Sequence, residues 1–454
     1  MTLDPATLAL ILGDHLIAWP DAPLEPARGV RFHSADVRPG DAFVALPGAA
    51  THGLRYADDA LARGAAFVIA DRPHPRGVVV DDAGEALLAL GRAARAARSG
   101  YVIGITGSAG KTTTKNLLAA ALDAAASPGN RNTPFALATV LVDAWASGDT
   151  GRPLVLELGV DRRGDMATLT ALVRPTHGLL TAIAPAHLAG LGDLAGVAEE
   201  KADLLRAATT GRYAAEAAFQ KLPDDARAGV RRYRVDDAPA SSDGDAATAR
   251  DVAVGRHRVV GERDLLLARL GDHDVRVALP GPGRALAENA MGALLLATEL
   301  GVDARTAAQR IAGARLEGGR LTHHRWGDLL LIDDSYNANP DALRAALEVL
   351  ARGPRPHTVV LGSMLELGPA SADHHRAAGA ALRAAGADLV WTVGHDARRV
   401  ADEADVARHF DDADAAVAAA AELPAAGTVL VKGSRGIGLE ALVRALRAAR
   451  EEPA

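Results

Sequence analysis

Residues 101–126 read YVIGITGSAGKTTTKNLLAAALDAAA. An uncharged, mostly apolar run gives way to a glycine-punctuated turn and then to a helix-forming stretch, the strand, loop, helix order of phosphate-binding α/β domains. Thr106, Gly107, Ser108, Ala109 and Gly110 are small, so backbone N–H groups there can approach phosphate oxygens. Lys111 supplies a point charge, and Thr112, followed by Thr113, a hydroxyl suited to magnesium. The spacing departs from G-x-x-x-x-G-K-[ST]: Ile105 stands where the first glycine belongs, and Gly104 lies one residue earlier.

The same alternation of short apolar runs and Ala-rich helical stretches continues on both sides of this loop. Upstream, DAFVAL (41–46), AAFVIA (65–70) and GVVVDD (77–82) predict a small α/β domain over 1–99. Downstream, PLVLELG (153–159) and THGLLTAI (176–183) add strands, and a helix is expected over about 194–208. Between 229 and 280 the runs VRRYRV, GRHRVV, DLLLARL and DVRVALP predict an antiparallel β appendage, with an exposed polar loop over 236–250. Helices at about 285–300 and 304–313 close a central domain, 100–314. From 315 to 454 the β/α alternation restarts with LLLIDDSY, and Asn339 before Pro340 marks a helix start. The expectation is an α/β chain of three domains, the last a doubly wound, Rossmann-like sheet.

Composition narrows the function classes. The 454 residues carry a net charge of -7 and only 3% aromatics, so neither nucleic acid nor an anionic membrane is an expected partner. No apolar stretch is long enough to span a bilayer. With no cysteine there are no disulfides, thiolate metal sites or Cys nucleophiles, and a cytoplasmic protein is expected. The run 9–19, ALILGDHLIAW, lacks a basic leader and reads as an amphipathic helix. Lysine is scarce: five of the fifty basic residues are Lys111, Lys115, Lys201, Lys221 and Lys432. A retained lysine points to work a guanidinium cannot do, although codon bias accounts for it equally well where no motif surrounds it.

Several polar residues fall where open α/β sheets bind ligands, at the carboxyl ends of strands. Glu157 there can hold magnesium or stand as a solvated strand end. His187 follows another strand and is either structural or a ligand. Lys201, fourteen residues later in AEEKADLL, fits a surface i,i+4 pair unless something else engages it. Asp333, Asp334, Ser335, Tyr336, Asn337 and Asn339 crowd the end of LLLI, which demands ligands or a dense turn network. Lys432, Gly433, Ser434 and Arg435 occupy the same edge after the last strand and suit a carboxylate or phosphate.

Taken together, SADVRPGDAFVALPG, TGSAGKTTTKN, ELGVDRRGDM, AHLAGLGDLAGVAEEKADL, DDSYNANPDALRAAL, LGSMLELG and VLVKGSR resemble the ATP-dependent Mur ligases of peptidoglycan synthesis over nearly the whole chain. Within that family, DDSYNANP with KGSR resembles the branch that adds D-alanyl-D-alanine to a UDP-N-acetylmuramoyl-tripeptide. The diaminoacid-adding branch instead carries DYAHTP and DNPR elements, and a non-catalytic nucleotide-binding relative is the other alternative. The resemblance implies a uridine-nucleotide domain, a P-loop ATPase domain and a C-terminal ligand-binding domain, acting as a monomer. It implies ATP and two magnesium ions, with Lys111 on the phosphates, Thr112, Glu157 and His187 as metal ligands, and Lys201 carbamylated as a further ligand. It places Asn289 and Arg320 near adenine and ribose and Asp334 against the nucleotide. Ser34, Asn337, Asn339, Lys432, Ser434 and Arg435 are expected at the substrates.

The chain departs from the family's pattern at three points. His33-Ser34-Ala35 lacks the arginine of D-[ST]-R, Ala285 stands for the histidine of G-R-H-N, and Ala189 for the glutamate of H-L-E. Lys115 and Lys221 have no expected role.

Overall fold

The computed structural model of the chain describes residues 2–21, 23–48, 51–236, 252–261, 263–271 and 273–451. Among them are three sheets, each built from one continuous stretch of sequence. The first runs in the order Leu16–Ala18, Gly77–Val80, Phe67–Ala70, Asp41–Val44, Gly29–Arg31, parallel except for the outer pair Leu16–Ala18 with Gly77–Val80. The run 9–19 is therefore not one helix. Helix Pro5–Leu12 ends at Gly13, whose φ of 53° turns its N–H back onto Ala9 O, and the chain re-enters as that edge strand.

The central sheet has nine strands in the order His273–Ala278, Arg263–Leu270, Val252–Val260, Val230–Asp236, Gly211–Ala215, His177–Leu180, Val102–Thr106, Leu154–Glu157, Ala125–Ala126. The runs expected as an antiparallel appendage continue this sheet instead of standing apart from it. Val230–Asp236 joins in parallel, and only the last two pairings, Val252–Val260 with Arg263–Leu270 and the latter with His273–Ala278, are antiparallel. Tight turns at Gly261 and Gly271 permit those reversals, whereas the parallel joins need crossovers. The polar loop expected over 236–250 lies, apart from Asp236 at the end of strand Val230–Asp236, outside the described residues.

The third sheet, Thr322–Trp326, Leu329–Asp334, Gly427–Lys432, His357–Gly362, Leu389–Val393, Arg408–Phe410, is parallel but for its first strand. Strand Leu329–Asp334 shows why both faces are covered. Leu330 and Ile332 enter one apolar cluster while Leu329 and Leu331 enter another, the period-two alternation of a strand with helices on each side. The first two sheets, by contrast, share a single core, joined where helix Ala83–Ala96 packs on helix Pro134–Ala146, with Gly84 against Phe135 and Gly91 against Ala138. The C-terminal domain thus keeps its own core and meets the rest of the chain at a cleft.

Candidate active site

That cleft, of about 940 Å³, is bounded by Ser108–Thr113, Glu157, His187 and Asn289 from the central domain and by Arg320, Asp334, Tyr336–Asn339, Glu366, Lys432 and Ser434–Gly436 from the C-terminal domain. Helix Lys111–Leu122 opens at its floor. Its cap, Gly110, has a φ of 80°, and a Cβ there would lie 2.4 Å from Asn289 Oδ1, so both backbone and space require glycine. Asn289 therefore sits against the phosphate loop itself. Lys111 folds back to donate from Nζ to Gly107 O at 2.7 Å. Burial pulls its ammonium below the ordinary value, with Glu157 acting in the opposite sense.

Thr112 donates its hydroxyl to Glu157 Oε2 at 2.6 Å, and the other carboxylate oxygen accepts from Asn132 Nδ2 at 3.1 Å. Both residues are buried. Arg320, expected near the ribose, reaches this point and donates from Nη2 to Thr112 Oγ1 at 2.9 Å. A hydroxyl and a carboxylate side by side are the oxygen donors a hard divalent cation takes, and the guanidinium shows that the spot accepts positive charge. Among the described residues no group of three or more His, Asp or Glu side chains has metal-binding geometry.

Lys201 is buried to 1% exposure on helix Leu194–Ala207. Burial first, and the charge of Lys111 second, bring its ammonium down to about 7, so a large share of the amine is neutral at neutral pH. The surface-pair alternative is excluded by that burial. Its neighbour Glu200 instead caps helix Asp165–Val173, accepting from Gly164 N at 2.9 Å and Met166 N at 2.7 Å. His187 adopts φ 53°, a left-handed conformation uncommon outside glycine. Its Nδ1 lies 3.1 Å from Asp161 Oδ1 and 2.5 Å from Glu366 Oε2, close enough to pair but out of line for a hydrogen bond. Burial lowers the ring below its ordinary value, although both carboxylates pull the other way. Glu366, also left-handed at φ 65°, accepts through its carbonyl from Leu188 N at 3.1 Å.

On the facing wall, the polar cluster is largely self-satisfied. Ser335 donates to Asp333 Oδ1 at 2.6 Å, and Asn339 caps helix Pro340–Leu350 by accepting from Ala342 N at 2.8 Å. Lys432 is buried, with Nζ 2.5 Å from Asp334 Oδ2 and 3.1 Å from Asn337 O. Burial raises Asp334 while that ammonium holds it down. The exposed groups left to face the cleft are Asn337 and Arg435. The guanidiniums of Arg320 and Arg435 both lie over the Tyr336 ring, 3.8 and 5.2 Å from its centroid.

Not every expected residue is brought here. Thr106 is spent inside, its hydroxyl donating to Leu158 O at 2.9 Å. Ser34 lies in the first domain, hydrogen-bonded to Asp59, beside a smaller cavity of about 220 Å³ that Arg31, His33, Asp36 and Arg131 help to line and that shares Asn130 and Thr133 with the cleft. Asn132, Asp161 and Glu366 carry site contacts that sequence reasoning missed, though Asp161 and Glu366 fall within the conspicuous segments ELGVDRRGDM and LGSMLELG. Lys221 lines the cleft and donates to Ile183 O at 2.7 Å.

Comparisons with known proteins agree with this arrangement. Residues 26–99 match the Mur ligase family catalytic domain, 105–297 the Mur ligase middle domain and 319–435 the Mur ligase glutamate ligase domain. The UDP-N-acetylmuramoyl-tripeptide–D-alanyl-D-alanine ligase of Escherichia coli K12 is 34% identical over 427 residues, covering 90% of this chain and 91% of the relative. Its counterpart in Treponema pallidum is 32% identical over 450 residues, covering 93% and 94%. Among solved structures, MurF from Acinetobacter baumannii shares the fold at a TM-score of 0.82 over 99% of both chains, with 24% identity. The MurF ligase of Thermotoga maritima in complex with ADP reaches 0.77 over 94% of this chain and 99% of that one, with 26% identity.

Proposed function

The chain belongs to the Mur ligase family, and on that premise we propose that it joins D-alanyl-D-alanine to a UDP-N-acetylmuramoyl-tripeptide at the expense of ATP. The observation that carries the reading is the cleft itself, in which a phosphate loop with Thr112 on Glu157 faces the Asp334–Asn339 and Lys432–Arg435 edge of a second domain. The names of the relatives support the choice of substrates, and the ADP-bound neighbour supports ATP. We take residues 1–99 as the uridine-nucleotide domain, 100–314 as the ATP domain and 315–454 as the domain for the incoming dipeptide. The reaction belongs to the cytoplasm and to peptidoglycan synthesis, and so to cell shape and division; the chain works as a monomer.

A carboxylate does not acylate an amine at neutral pH because oxide is a poor leaving group. Its oxygen must first attack the γ-phosphorus of ATP, breaking the bond to ADP and giving an acyl phosphate. The dipeptide amine then attacks the acyl carbon, the C–N bond forms and phosphate departs. Loop amides after Thr106 and the Lys111 ammonium gather the phosphates and stabilise the charge that builds between donor and acceptor. Thr112, Glu157, His187 and a carbamylated Lys201 would hold two magnesium ions, which neutralise phosphate charge when bound. The carbamate forms when the neutral Lys201 amine attacks CO₂ and loses a proton, which turns a cation into an oxygen donor. Arginine, always protonated, has no such route. Arg435 and Asn337 stand where the dipeptide would meet the C-terminal domain, while Lys432 acts behind them by holding Asp334. Closure of the cleft keeps water from the acyl phosphate.

The test is phosphate release from MgATP and UDP-N-acetylmuramoyl-tripeptide with and without D-alanyl-D-alanine, with the product weighed by mass spectrometry. Dipeptide-dependent release and a product heavier by the dipeptide residue are expected. Indifference to the dipeptide, or incorporation of a diaminoacid in its place, overturns the reading.

A further inference from the structure

Helix Pro340–Leu350 lies along the cleft, with Asp341, Ala345 and Glu348 among its lining, and both its ends are fastened to the central domain. At its start the Asn339 amide donates to Ser108 O at 3.3 Å, one long contact between neutral groups. The other end is built differently. Arg352, just past the helix, donates from Nη1 to Asp264 Oδ1 at 2.8 Å and from Nη2 to Oδ2 at 2.6 Å, the fork-on-carboxylate match that lysine cannot make. Asp264, on strand Arg263–Leu270, is only 4% exposed. Its Oδ1 also accepts from Gly283 N at 3.0 Å and lies 2.5 Å from His257 Nε2. Although burial pushes the Asp264 carboxyl upward, these partners hold it below the ordinary carboxylate range, so the pair is charged.

Gly283 links this point to the nucleotide side of the cleft. It caps helix Arg284–Glu299, which carries Asn289 to the phosphate loop. Its φ is +100°, and a Cβ there would come within 3.0 Å of Val349 Cγ2, so the end of one helix is seated on the start of the other. We propose that Arg352 and Asp264 form a fixed pin between the C-terminal and central domains, and that through Gly283 the pin ties the placement of the C-terminal domain to the helix bearing Asn289. The inference rests on the nucleotide reading above, and Arg352 is a positioning residue.

The asymmetry of the fastenings is the reason. Parting this bidentate pair strands the buried Asp264 carboxylate, although Arg352 itself is partly exposed, whereas the Asn339 contact is a single long bond and the Arg320 contact uses the very hydroxyl that the nucleotide site offers. A rotation that opens and closes the cleft needs one point that holds and one that lets go.

The chain has no cysteine, so Ser147→Cys and Arg399→Cys place spin labels uniquely on the central and C-terminal domains of the 454-residue chain. Interdomain distance distributions and the affinity for ADP with magnesium are measured with Arg352 intact, with Arg352→Lys and with Arg352→Met. A narrow distribution is expected with Arg352. Arg352→Met should broaden it and weaken ADP binding about tenfold, within the usual range of coupling between sites, with Arg352→Lys in between. If Arg352→Met melts earlier yet keeps both the parent distribution and the parent affinity, the pair is merely structural and the proposal falls. Should Arg352→Met not fold, Arg352→Lys and Asp264→Asn, which leaves an acceptor for Gly283 N–H, decide by the same readouts. A parent with a narrow distribution that binds no ADP defeats the nucleotide reading alone, and the distances still judge the pin.

Discussion

Four of the five lysines part company according to what surrounds them. Lys111 and Lys201 stand at the phosphate loop and beneath the cleft. Lys432 is a buried partner of Asp334, and Lys115, fully buried, donates to Gly129 O at 2.6 Å as a clamp inside the fold. Scarcity marked all five and motifs singled out three, but only the partner each ammonium meets separated chemistry from architecture. Replacing Lys201 by arginine or alanine should lower turnover by about 10² or more, the scale of losing a transition-state electrostatic partner. Short carboxylates should partly restore Lys201→Ala, and a ¹³C carbamate signal from labelled bicarbonate should vanish in it. Native turnover in Lys201→Arg would refute the carbamate. Lys432→Met should cost roughly 3–5 kcal/mol of C-terminal domain stability in urea, because it leaves Asp334 buried and unpaired. Adding Asp334→Asn should recover much of that loss. A variant of native stability with a raised KM for the dipeptide alone would show that Lys432 contacts substrate directly.

Elements were legible wherever local pattern decides them. Asn339 and Pro340 marked a helix start that the structure bears out, whereas the run 9–19 misled because one glycine at positive φ converts an apolar helix into an edge strand. The helix Ser371–Ala384 carries a constraint no pattern announced. His375, wholly buried, accepts from Met364 N through Nε2 at 2.9 Å, so Nδ1 must carry the proton it gives to Ser371 O at 2.8 Å. The neutral ring thereby holds the loop that presents Glu366 to His187. Burial first of all lowers the folded-state value of His375 below 6.5, so the unfolded chain binds more protons between that value and 6.5. The contribution is complete above about pH 6.5 and is lost as pH falls through the folded value. Denaturation curves between pH 7.5 and 5.5 should show stability falling with acid, less steeply in His375→Gln. Equal slopes would remove His375 from the account.

At the scale of the molecule, two domains share a core while the third meets them across a cleft closed by scattered polar contacts. A ligand that binds this cleft in the folded state alone should stabilise it by mass action. Magnesium with ADP at a hundredfold excess over its dissociation constant should add about 2.7 kcal/mol, read as a rise in Tm. EDTA should take most of that gain away. A melting curve indifferent to nucleotide, with or without metal, would contradict the assignment of the cleft.

The sequence by itself determined the α/β class and marked 106–113, with Lys111 and Thr112, as a candidate phosphate loop, because such a loop is made from residues adjacent in the chain; it left Glu157, 45 positions from Thr112, open between a magnesium ligand and a solvated strand end. It also marked the polar strand ends of the third domain. Only the tertiary structure decided that Asn289 touches Gly110, that Glu366 meets His187 and that Arg352 grips Asp264 across 88 positions. Side chains that distant find each other through sheet order and domain placement, and neither leaves a periodic trace in the residues themselves.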